Sequence, residues 1–481
     1  MSYVSRRRFL VGGLGTVAGL AVLSACSQAQ PAGAPAQQGA AKTSSKENVT
    51  IRVLTTEADP PSQTVYNDAI KEFTAANPNV KVEMEYIGFD ARTEKIVTGI
   101  GAKRAPHIAG LVAYEVLEYG RLGFLSPMDD LITETGGPEK WQPGSLEGTR
   151  GPDGKVNAIP YTGGAYRTLW YRSDTYSKAG LQPPKTWDEW KKSSEVLTKD
   201  TNGDGAMDEF GVSLPGGKNR WTMSNYVRFL WQTGETMFDQ DFNVTFGKEG
   251  AVRAMEFYRD MVKFGPPGFA SYSYTESIDA FVSGQAMSQV YAGRTLGRVN
   301  DSAPNLVEVT RGVKQPAGPI GGDVGPVSWD TYGVFNEKVG VSPAEQQAAK
   351  LFLKHILTGK TATNFALTVP GHLLPPHLDT LKDPNLWDGH PLMKSHKAEI
   401  EWMYNTSNSL DFITEAGATI TAEKATPGQV NPHWPAIDSS LMIATMVQKV
   451  LVQNESPQSA VEWGATEMKR LVADSKAKMK Q

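Results

Sequence analysis

A strand–helix–strand pattern near the start of the chain constrains the fold most. Residues 50–55 alternate apolar and polar side chains and are rich in β-branched residues, which predicts a strand. Residues 62–76 carry apolar side chains at the spacing of one helix face, and residues 80–87 alternate again. Two strands joined by a helix imply a right-handed crossover and a parallel pair. We therefore expect an α/β fold, with a further helix over 92–103 and a strand over 107–112.

The length of the chain predicts more than one hydrophobic core. Of the 481 residues, those after position 47 exceed what one core normally supports, so we expect two lobes. Further along the chain, Thr186 with Glu189 and Ser342 with Glu345 have the spacing of capping boxes, which predicts a helix after each.

Residues 1–25 have the pattern of an export signal and are not expected to belong to the fold. Arg6, Arg7 and Arg8 precede an uncharged stretch over 9–25 that is rich in Gly, Ala and Ser and barely long enough for a membrane span. The order of residues around the arginines resembles a twin-arginine signal, and an ordinary secretion signal is the alternative.

Cys26 is the single cysteine of the chain and stands at the end of that uncharged stretch. The order Leu23-Ser24-Ala25-Cys26 resembles the lipobox of bacterial lipoproteins. We expect cleavage before Cys26 and a lipid on it, which anchors the protein to the outer face of the cell membrane. The rest of the segment 26–47 is rich in Gln, Ala, Pro, Gly and Ser, which predicts a flexible tether.

The charge balance excludes one broad class of partner. The chain carries a formal net charge of −4, and its positive residues include the three arginines of the leader. A mildly acidic body lacks the basic footprint of a general nucleic-acid binder, so we expect no nucleic-acid partner.

Five segments, taken in order, resemble the bacterial extracellular solute-binding proteins of ABC importers, the family that includes maltose- and multiple-sugar-binding proteins. The similarity extends from about Val49 to the C-terminus. The segments that carry it are residues 125–131 (LSPMDDL), 158–164 (AIPYTGG), 169–172 (LWYR) with 179–189 (AGLQPPKTWDE), 281–287 (FVSGQAM) and 370–375 (PGHLLP).

The resemblance implies a type II-like periplasmic-binding-protein fold. Each lobe would hold a mainly parallel sheet flanked by helices, and strands crossing near residues 163–168, 327–333 and 395 would form the hinge between the lobes. The lobes would close on a ligand by hinge motion. The implied lobes are residues 48–165 with about 330–395, and residues 166–329 with about 396–481.

The resemblance also implies a function. The protein would be a non-enzymatic, monomeric binding subunit without a catalytic cofactor. It would capture a carbohydrate between its lobes and deliver it to an ABC permease whose partner subunit hydrolyses ATP. The chain has no Walker-type glycine loop of its own outside the leader, where glycines at 12, 13 and 15 are a false lead.

Aromatic and hydrogen-bonding side chains near the expected crossings are candidates for the ligand site. A neutral sugar needs flat aromatic surfaces for its ring faces and polar groups for its hydroxyls. For every aromatic candidate, packing in the core or between the lobes is an equally open alternative. The candidates are Glu57, Tyr161, Gly163, Tyr166, Trp221, Tyr291, Trp329, Tyr332 and Trp434.

Arg294 stands where many members of the family carry a tryptophan a few residues after the Gly284–Met287 segment. Its guanidinium group would suit a carboxylate or phosphate on an anionic sugar. The alternative is a salt bridge at the surface or between the lobes.

An acidic loop after residue 199 has the spacing of a calcium loop. Side-chain oxygens at loop positions 1, 3, 5 and 9, a glycine at position 6 and a backbone carbonyl at position 7 match that pattern, although the usual glutamate at position 12 is missing. We expect a structural Ca²⁺ here, with a solvated acidic turn as the alternative. The ligands would be Asp200, Asn202, Asp204, Ala206, Asp208 and Glu209.

Three other functions remain as alternatives. An exported polysaccharide-degrading enzyme would need two carboxylates flanking a cleft, for which the sequence offers the pairs Asp129–Asp130 and Glu115–Glu118. The first pair is expected at a helix start and the second on a solvated helix face. A zinc enzyme would need more ligands than His372 and His377. A purely structural lipoprotein would not change its compactness with sugar.

Overall fold

The computed structural model describes residues 48–479 except residues 143, 152, 166–167, 240, 321–326, 408–418, 421–424 and 427–430. The expected export signal, the lipidation site Cys26 and the tether lie outside the described residues, and so does Tyr166. Every helix within the described ranges is too short or too polar to serve as a membrane span.

The described strands are β1 (Val49–Thr55), β2 (Val80–Tyr86), β3 (Ile108–Leu111), β4 (Ile159–Ala165), β5 (Thr168–Arg172), β6 (Ser288–Tyr291), β7 (Thr310–Lys314), β8 (Val327–Val334), β9 (Thr419–Ile420) and β10 (Ala425–Thr426).

The described α-helices are α1 (Pro60–Ala76), α2 (Phe89–Gly101), α3 (Ala113–Arg121), α4 (Asp129–Glu134), α5 (Ser173–Lys178), α6 (Trp187–Leu197), α7 (Arg220–Trp231), α8 (Glu249–Val262), α9 (Tyr274–Val282), α10 (Arg294–Ser302), α11 (Pro343–Leu357), α12 (Gly359–Ala366), α13 (Leu378–Leu381), α14 (Pro384–Asp388), α15 (Pro391–Ser395), α16 (Lys397–Ser407), α17 (Trp434–Ser440), α18 (Met442–Leu451) and α19 (Pro457–Lys478). Short 3₁₀ turns cover Pro138–Lys140, Glu147–Thr149, Phe269–Ser271, Pro304–Val309 and Glu337–Val339.

The first sheet has the strand order β2-β1-β3-β8-β4 and defines the first lobe. Strands β1, β2 and β3 pair in parallel, which confirms the predicted crossover through α1. Asp59 caps α1 by accepting a hydrogen bond from the Ser62 backbone N–H. Strand β8 enters from the far end of the chain and pairs antiparallel with both β3 and β4. The sheet is therefore mainly parallel with one reversed strand.

Both faces of the first sheet are covered by helices. On one face, Tyr66 and Phe73 of α1 pack with Phe352 of α11 against the strands. On the other face, Ile96 of α2 and Val116 of α3 cover the same strands. Helix α11 begins with the predicted capping box, because Ser342 and Glu345 hydrogen-bond each other's backbone N–H groups.

The sheet of the second lobe has the order β6-β5-β7, and both of its pairs are antiparallel. The prediction of a mainly parallel sheet in this lobe was wrong for these strands. Among the described residues of this lobe, parallel pairing occurs in isolated bridges from Thr186 to Ala317, from Phe210 to Ala286 and from Ser213 to Gln289. Strand β6 is parallel to residues 210–213 but antiparallel to β5. Helices α5 to α9 lie between β5 and β6, and after them the chain returns in the opposite direction.

Aromatic side chains dominate the core of the second lobe. Trp187 of α6 stacks on Phe257 of α8 with a centroid separation of 4.0 Å. The C-terminal helices α18 and α19 pack against α7 and α8, so the end of the chain completes this lobe. Thr186 caps α6 as predicted, although the Glu189 carboxylate accepts from the Lys185 N–H. The exact lobe boundaries stay predictions.

A buried ion pair joins α2 to α3 in the first lobe. Arg92 Nη2 lies 2.9 Å from Glu115 Oε2, and the two side chains are only 3% and 1% exposed. Glu115 also accepts hydrogen bonds from the Val112 N–H and the Thr93 hydroxyl. The prediction that Glu115 lies on a solvated helix face was therefore wrong, because Arg92 compensates its charge inside the lobe. Glu118, on the same helix, is one-third exposed and pairs with Arg121.

Replacing Glu115 by alanine should destabilise the protein strongly, because Arg92 would be left buried without its carboxylate. We expect a loss of about 3–5 kcal/mol in the free energy of unfolding. Glu118→Ala is the matched control on the same helix, and we expect it to cost less than about 1 kcal/mol. Urea unfolding of both variants measures the difference, and equal losses would contradict the prediction.

Candidate functional site

The candidate site lies where the carboxyl ends of two strands from different sheets face each other. Glu57 follows the end of β1 in the first lobe, and Arg294 begins α10 just after β6 in the second lobe. Arg294 Nη2 lies 3.9 Å from Glu57 Oε2. Both residues were predicted ligand contacts, and the structure brings them together. The distance is that of a loose ion pair between the lobes, which was the alternative for Arg294.

Tyr161 holds the Glu57 carboxylate and is itself stacked on Tyr332. The Tyr161 hydroxyl on β4 donates a 3.0 Å hydrogen bond to Glu57 Oε1. The Tyr161 ring stacks on Tyr332 of β8 with centroids 4.3 Å apart. The Tyr332 hydroxyl lies 2.6 Å from the Tyr66 hydroxyl and 3.0 Å from that of Thr55. Tyr332 is wholly buried, so here it supports the site from the core.

Two carboxyl groups of the site titrate near neutrality. Burial raises the pKa of Glu57 to about 7, although Arg294 acts in the opposite direction. Burial likewise raises the pKa of Asp330 to about 6 against the opposing charges of Arg92 and Arg294. Asp330 is half-buried on β8, opposite Thr162 of β4. Sequence reasoning quoted its segment but did not select this residue.

Aromatic rings form a wall beside Arg294. The Tyr291 ring lies 4.7 Å from Trp221 in an edge-on arrangement and 5.4 Å from Tyr274 in a stacked one. The imidazole of His372 lies 6.0 Å from Tyr291 on another side. Burial, with the Arg294 charge, places the pKa of His372 well below its ordinary value, so the ring is neutral. Trp221 and Tyr291 were predicted; Tyr274 and His372 were missed as site residues.

A close backbone contact fixes the start of α10. A Cβ atom on Gly293 would collide with the carbonyl of Gly371, so only glycine fits there. Gly371 itself has a φ of +75°. Three residues further on, the Leu374 carbonyl accepts a hydrogen bond from the Gly163 N–H of β4. The segment from Gly371 to Leu374 therefore contacts both the start of α10 and the first sheet.

The other predicted aromatic contacts lie deeper. Trp329 pairs in register with Gly163 at the predicted crossing and is 1% exposed. Trp434 begins α17, is 3% exposed and packs in the second-lobe core. For both residues the structure supplies core packing, and their contact with a ligand stays a prediction.

A second contact between the lobes involves residues that the sequence did not single out. The Arg220 guanidinium of α7 lies 4.7 Å above the ring of Tyr114 on α3. Arg220 Nε also lies 2.8 Å from the nearly buried carboxylate of Asp438 on α17. These three residues belong to none of the segments that resemble the family. They lie more than 100 positions apart, so the sequence alone does not show that they meet.

The acidic loop is organised by its own hydrogen bonds. Asp200 accepts from the N–H groups of Gly203 and Gly205, and Asp208 accepts from Thr201 through both oxygens. These bonds with Thr201 lower the pKa of Asp208. Among the described residues, no group of three or more histidine, cysteine or acidic side chains is placed to hold a metal ion. Calcium binding by this loop stays a prediction of the sequence.

The carboxylate and histidine pairs of the alternative functions do not form a site. Asp129 and Asp130 open α4 as expected, and Asp130 pairs with Lys350 on α11. Glu115 is engaged with Arg92, as described above. His377 Nε2 lies 3.0 Å from the Thr135 carbonyl oxygen, away from the wall that contains His372.

Comparisons with known proteins agree with this architecture. The family model of the bacterial extracellular solute-binding proteins matches residues 58–361. A putative binding protein of Brucella abortus is 25% identical over 60% of this chain and 67% of its own length. A putative ABC transporter periplasmic-binding protein of Escherichia coli K12 is 24% identical over 69% of this chain and 74% of its own length.

Solved structures share the fold at low sequence identity. A solute-binding protein of Thermotoga lettingae bound to α-D-tagatose has a TM-score of 0.69 and 20% identity, covering 89% of this chain and 100% of that one. A maltose-bound protein of T. maritima has a TM-score of 0.70 and 20% identity, covering 88% and 100%. These similarities confirm the predicted two-lobed fold.

Replacing Gly293 by alanine should destabilise the protein and displace Arg294, because the added methyl group meets the Gly371 backbone. We expect a loss of about 1–3 kcal/mol. Gly297→Ala is the matched control in the same helix, since its Cβ would lie 3.7 Å from Val369, an ordinary contact. That change should be neutral or stabilise by up to about 1 kcal/mol. Urea unfolding compares them, and equal effects would refute the requirement for glycine.

Asp330→Asn should stabilise the ligand-free protein at neutral pH. The folded pKa of about 6 exceeds the ordinary 3.8, so the wild type loses stability as pH rises through this interval and the variant does not. The difference should be absent below pH about 4 and reach about 1–2 kcal/mol above pH about 6. Asp68→Asn, at an exposed ion pair, is the control. A difference that does not change with pH would contradict this cause.

Proposed function

The chain belongs to the bacterial extracellular solute-binding proteins, and on that premise we propose that it captures a carbohydrate for an ABC importer. The observation that carries the proposal is the meeting of Glu57 and Arg294 from two lobes beside an aromatic wall. A ligand held there contacts both lobes at once, so its binding energy favours the closed arrangement.

The chemistry of the site suits a saccharide. Tyr274 is the most exposed ring of the aromatic wall and offers a flat apolar face to a sugar ring, while Tyr291, which is 7% exposed, stacks on Tyr274 and supports it. The carboxylates of Glu57 and Asp330 accept hydrogen bonds from hydroxyl groups. Acceptors beside aromatic faces are what a polyhydroxylated ring requires.

The known relatives support the same ligand class. The tagatose complex of T. lettingae, the maltose complex of T. maritima and a D-mannitol complex from Agrobacterium vitis all share this fold. A relative from Pseudomonas aeruginosa, 24% identical over 249 residues, is named a mannitol-binding protein. Their ligands range from a polyol to a disaccharide, so the proposal covers mono- and oligosaccharides.

Delivery requires a membrane partner. In the proposed cycle the closed, monomeric binding protein docks on a permease, and an ATPase subunit of the importer supplies the energy. A lipid on Cys26 would keep the protein at the outer face of the cell membrane, where the permease lies. Tethering of this kind raises the local concentration at the permease without adding a contact.

Saccharide binding is tested by calorimetry against mono- and oligosaccharides and polyols, with X-ray scattering on the same samples. We expect one class to bind and to reduce the radius of gyration, because the lobes close around it. At a hundredfold excess over Kd the ligand should stabilise the protein by about 2.7 kcal/mol. Amino acids and peptides are the control solutes, and exclusive binding of these would refute the carbohydrate assignment.

The same samples decide whether the protein is an enzyme. We propose that it is not, because the nominated carboxylate pairs are engaged elsewhere. Chromatography of bound oligosaccharides after long incubation should return them intact. Hydrolysis that disappears in Glu57→Gln or Asp330→Asn would reverse this conclusion, since two carboxylates flanking a ligand are what a glycosidase uses.

Cys26→Ser should separate binding from delivery. We expect the purified variant to keep its saccharide affinity, because the sequence predicts that Cys26 belongs to a tether and not to the fold. In cells it should appear in the medium or the soluble fraction, and uptake of the saccharide should fall. Fractionation and uptake of labelled sugar measure this. Unchanged membrane association of the variant would contradict lipidation at this residue.

A further inference from the structure

The described side chains of the candidate site carry more negative than positive charge. Glu57 and Asp330 contribute two carboxylates, and Arg294 contributes one cation between them. Arg92 is nearby, but its charge is compensated by the ion pair with Glu115. His372 is neutral, and Asp59 adds a further negative charge near Glu57. With its acids ionised, this part of the site has a net charge of about −1 or −2.

The carboxylates also have unused hydrogen-bonding capacity. Glu57 is 7% exposed, and its Oε1 is filled by Tyr161, but the nearest cation lies 3.9 Å from Oε2, beyond hydrogen-bond distance. Among the described residues, no hydrogen bond or ion pair involves the Asp330 carboxylate; the charges of Arg92 and Arg294 attract it, and the charge of Glu57 repels it. Both carboxylates therefore have acceptor capacity that the donors of a ligand between the lobes can use.

The aromatic wall accepts the same kind of partner. The rings of Trp221 and Tyr274 pack on Tyr291, which stands three residues before Arg294 in the chain. Aromatic faces attract a cation as well as the apolar face of a sugar ring. Hydroxyl groups alone would satisfy the hydrogen bonds of the two carboxylates, but they would leave the excess negative charge uncompensated.

We infer that the captured carbohydrate carries a protonated amino group, held between the carboxylates of Glu57 and Asp330. The inference rests on the proposed function and narrows its ligand class to amino sugars and their oligosaccharides. An anionic sugar at the same position would meet Arg294 but also both carboxylates. Its charge would therefore be opposed rather than balanced.

Probes that share one ring and differ in charge test the inference. Glucosamine oligosaccharides of two to four units carry ammonium groups, their N-acetylated counterparts have the same skeleton without the charge, and glucose oligosaccharides lack the nitrogen. Galacturonate oligosaccharides supply the negative charge. Calorimetry should give at least about tenfold tighter binding of the amines than of their acetylated counterparts, or about 1.4 kcal/mol.

The dependence on pH gives a second readout. A protonated amine binds the ionised carboxylates, so its affinity should rise as pH increases from about 5 and the two acids lose their protons, and should fall again once the amine of the probe is itself deprotonated. At a pH of about 6, where the amine is still protonated, binding should release protons from the two acids, which calorimetry detects as a dependence of the apparent enthalpy on the buffer. Acetylated probes should show neither effect.

Asp330→Asn assigns the effect to the site. This substitution keeps the shape and removes the charge, and no described hydrogen bond is lost with it. It should weaken binding of the amines at least about tenfold more than binding of the acetylated probes, which lose a charged acceptor but no opposite charge. Asp68→Asn is the remote control. If Asp330→Asn fails to fold, Glu57→Gln, which retains the Tyr161 hydrogen bond, tests the same charge.

The outcomes separate this inference from the proposed function. Preferential binding of neutral or anionic saccharides would overturn the amino-sugar inference and leave the carbohydrate function standing. Tight amine binding that Asp330→Asn and Glu57→Gln do not weaken would also overturn it, since the charge would be recognised elsewhere. Failure of every saccharide to bind, with a different solute class binding instead, would overturn the proposed function itself.

Discussion

The architecture depends on one strand that arrives late in the chain. Strand β8 pairs with β3 on one side and β4 on the other, so the first sheet stays divided until residues 327–334 are in place. The chain must therefore leave the first lobe after β4, form β5 to β7 and return. This return stacks Tyr332 on Tyr161, which hydrogen-bonds Glu57, and brings the charge of Asp330 close enough to act on Glu57. Strand β8 thus completes the sheet of the first lobe and also supplies residues of the site between the two lobes.

The charged residues inside the first lobe are tightly paired, whereas those between the lobes are not. Arg92 and Glu115 are buried together at 2.9 Å, and their charges are compensated within the first lobe. Arg294 and Glu57 approach only to 3.9 Å, and Asp330 is not paired at all among the described residues. An unpaired buried charge costs folding free energy. Retaining such groups at the facing edges is understandable if a ligand supplies the missing partner.

Local patterns predicted the fold well because local physics determines them. Alternation over 50–55 and 80–87 predicted β1 and β2, and the capping residues at Thr186 and Ser342 predicted the starts of α6 and α11. Strand direction in the second lobe was not predictable in this way. It depends on how the chain returns through α5 to α9, and no short pattern records that path.

The site was predicted only in part for the same reason. Glu57, Tyr291 and Arg294 stand at or just after strand ends, Tyr161 lies within β4, and the sequence selected all four, which come together in the structure. Asp330 was missed because its environment, not its position in a motif, makes it unusual. The sequence also did not predict that Tyr332, Trp329 and Trp434 are buried, because a tyrosine or tryptophan suits a ligand cleft and a hydrophobic core equally well.

The contact of Gly293 with Gly371 limits how such a protein could acquire a new specificity. Because the backbones touch, the junction between β6 and α10 cannot shift or bulge without moving the segment that leads to Leu374 and β4. The backbone contact of Gly293 with Gly371 therefore fixes the position from which the Arg294 side chain extends. Redesign by exchanging the side chains at 57, 294 and 330 keeps the frame intact, whereas grafting a longer loop after β6 would separate the two edges that form the site.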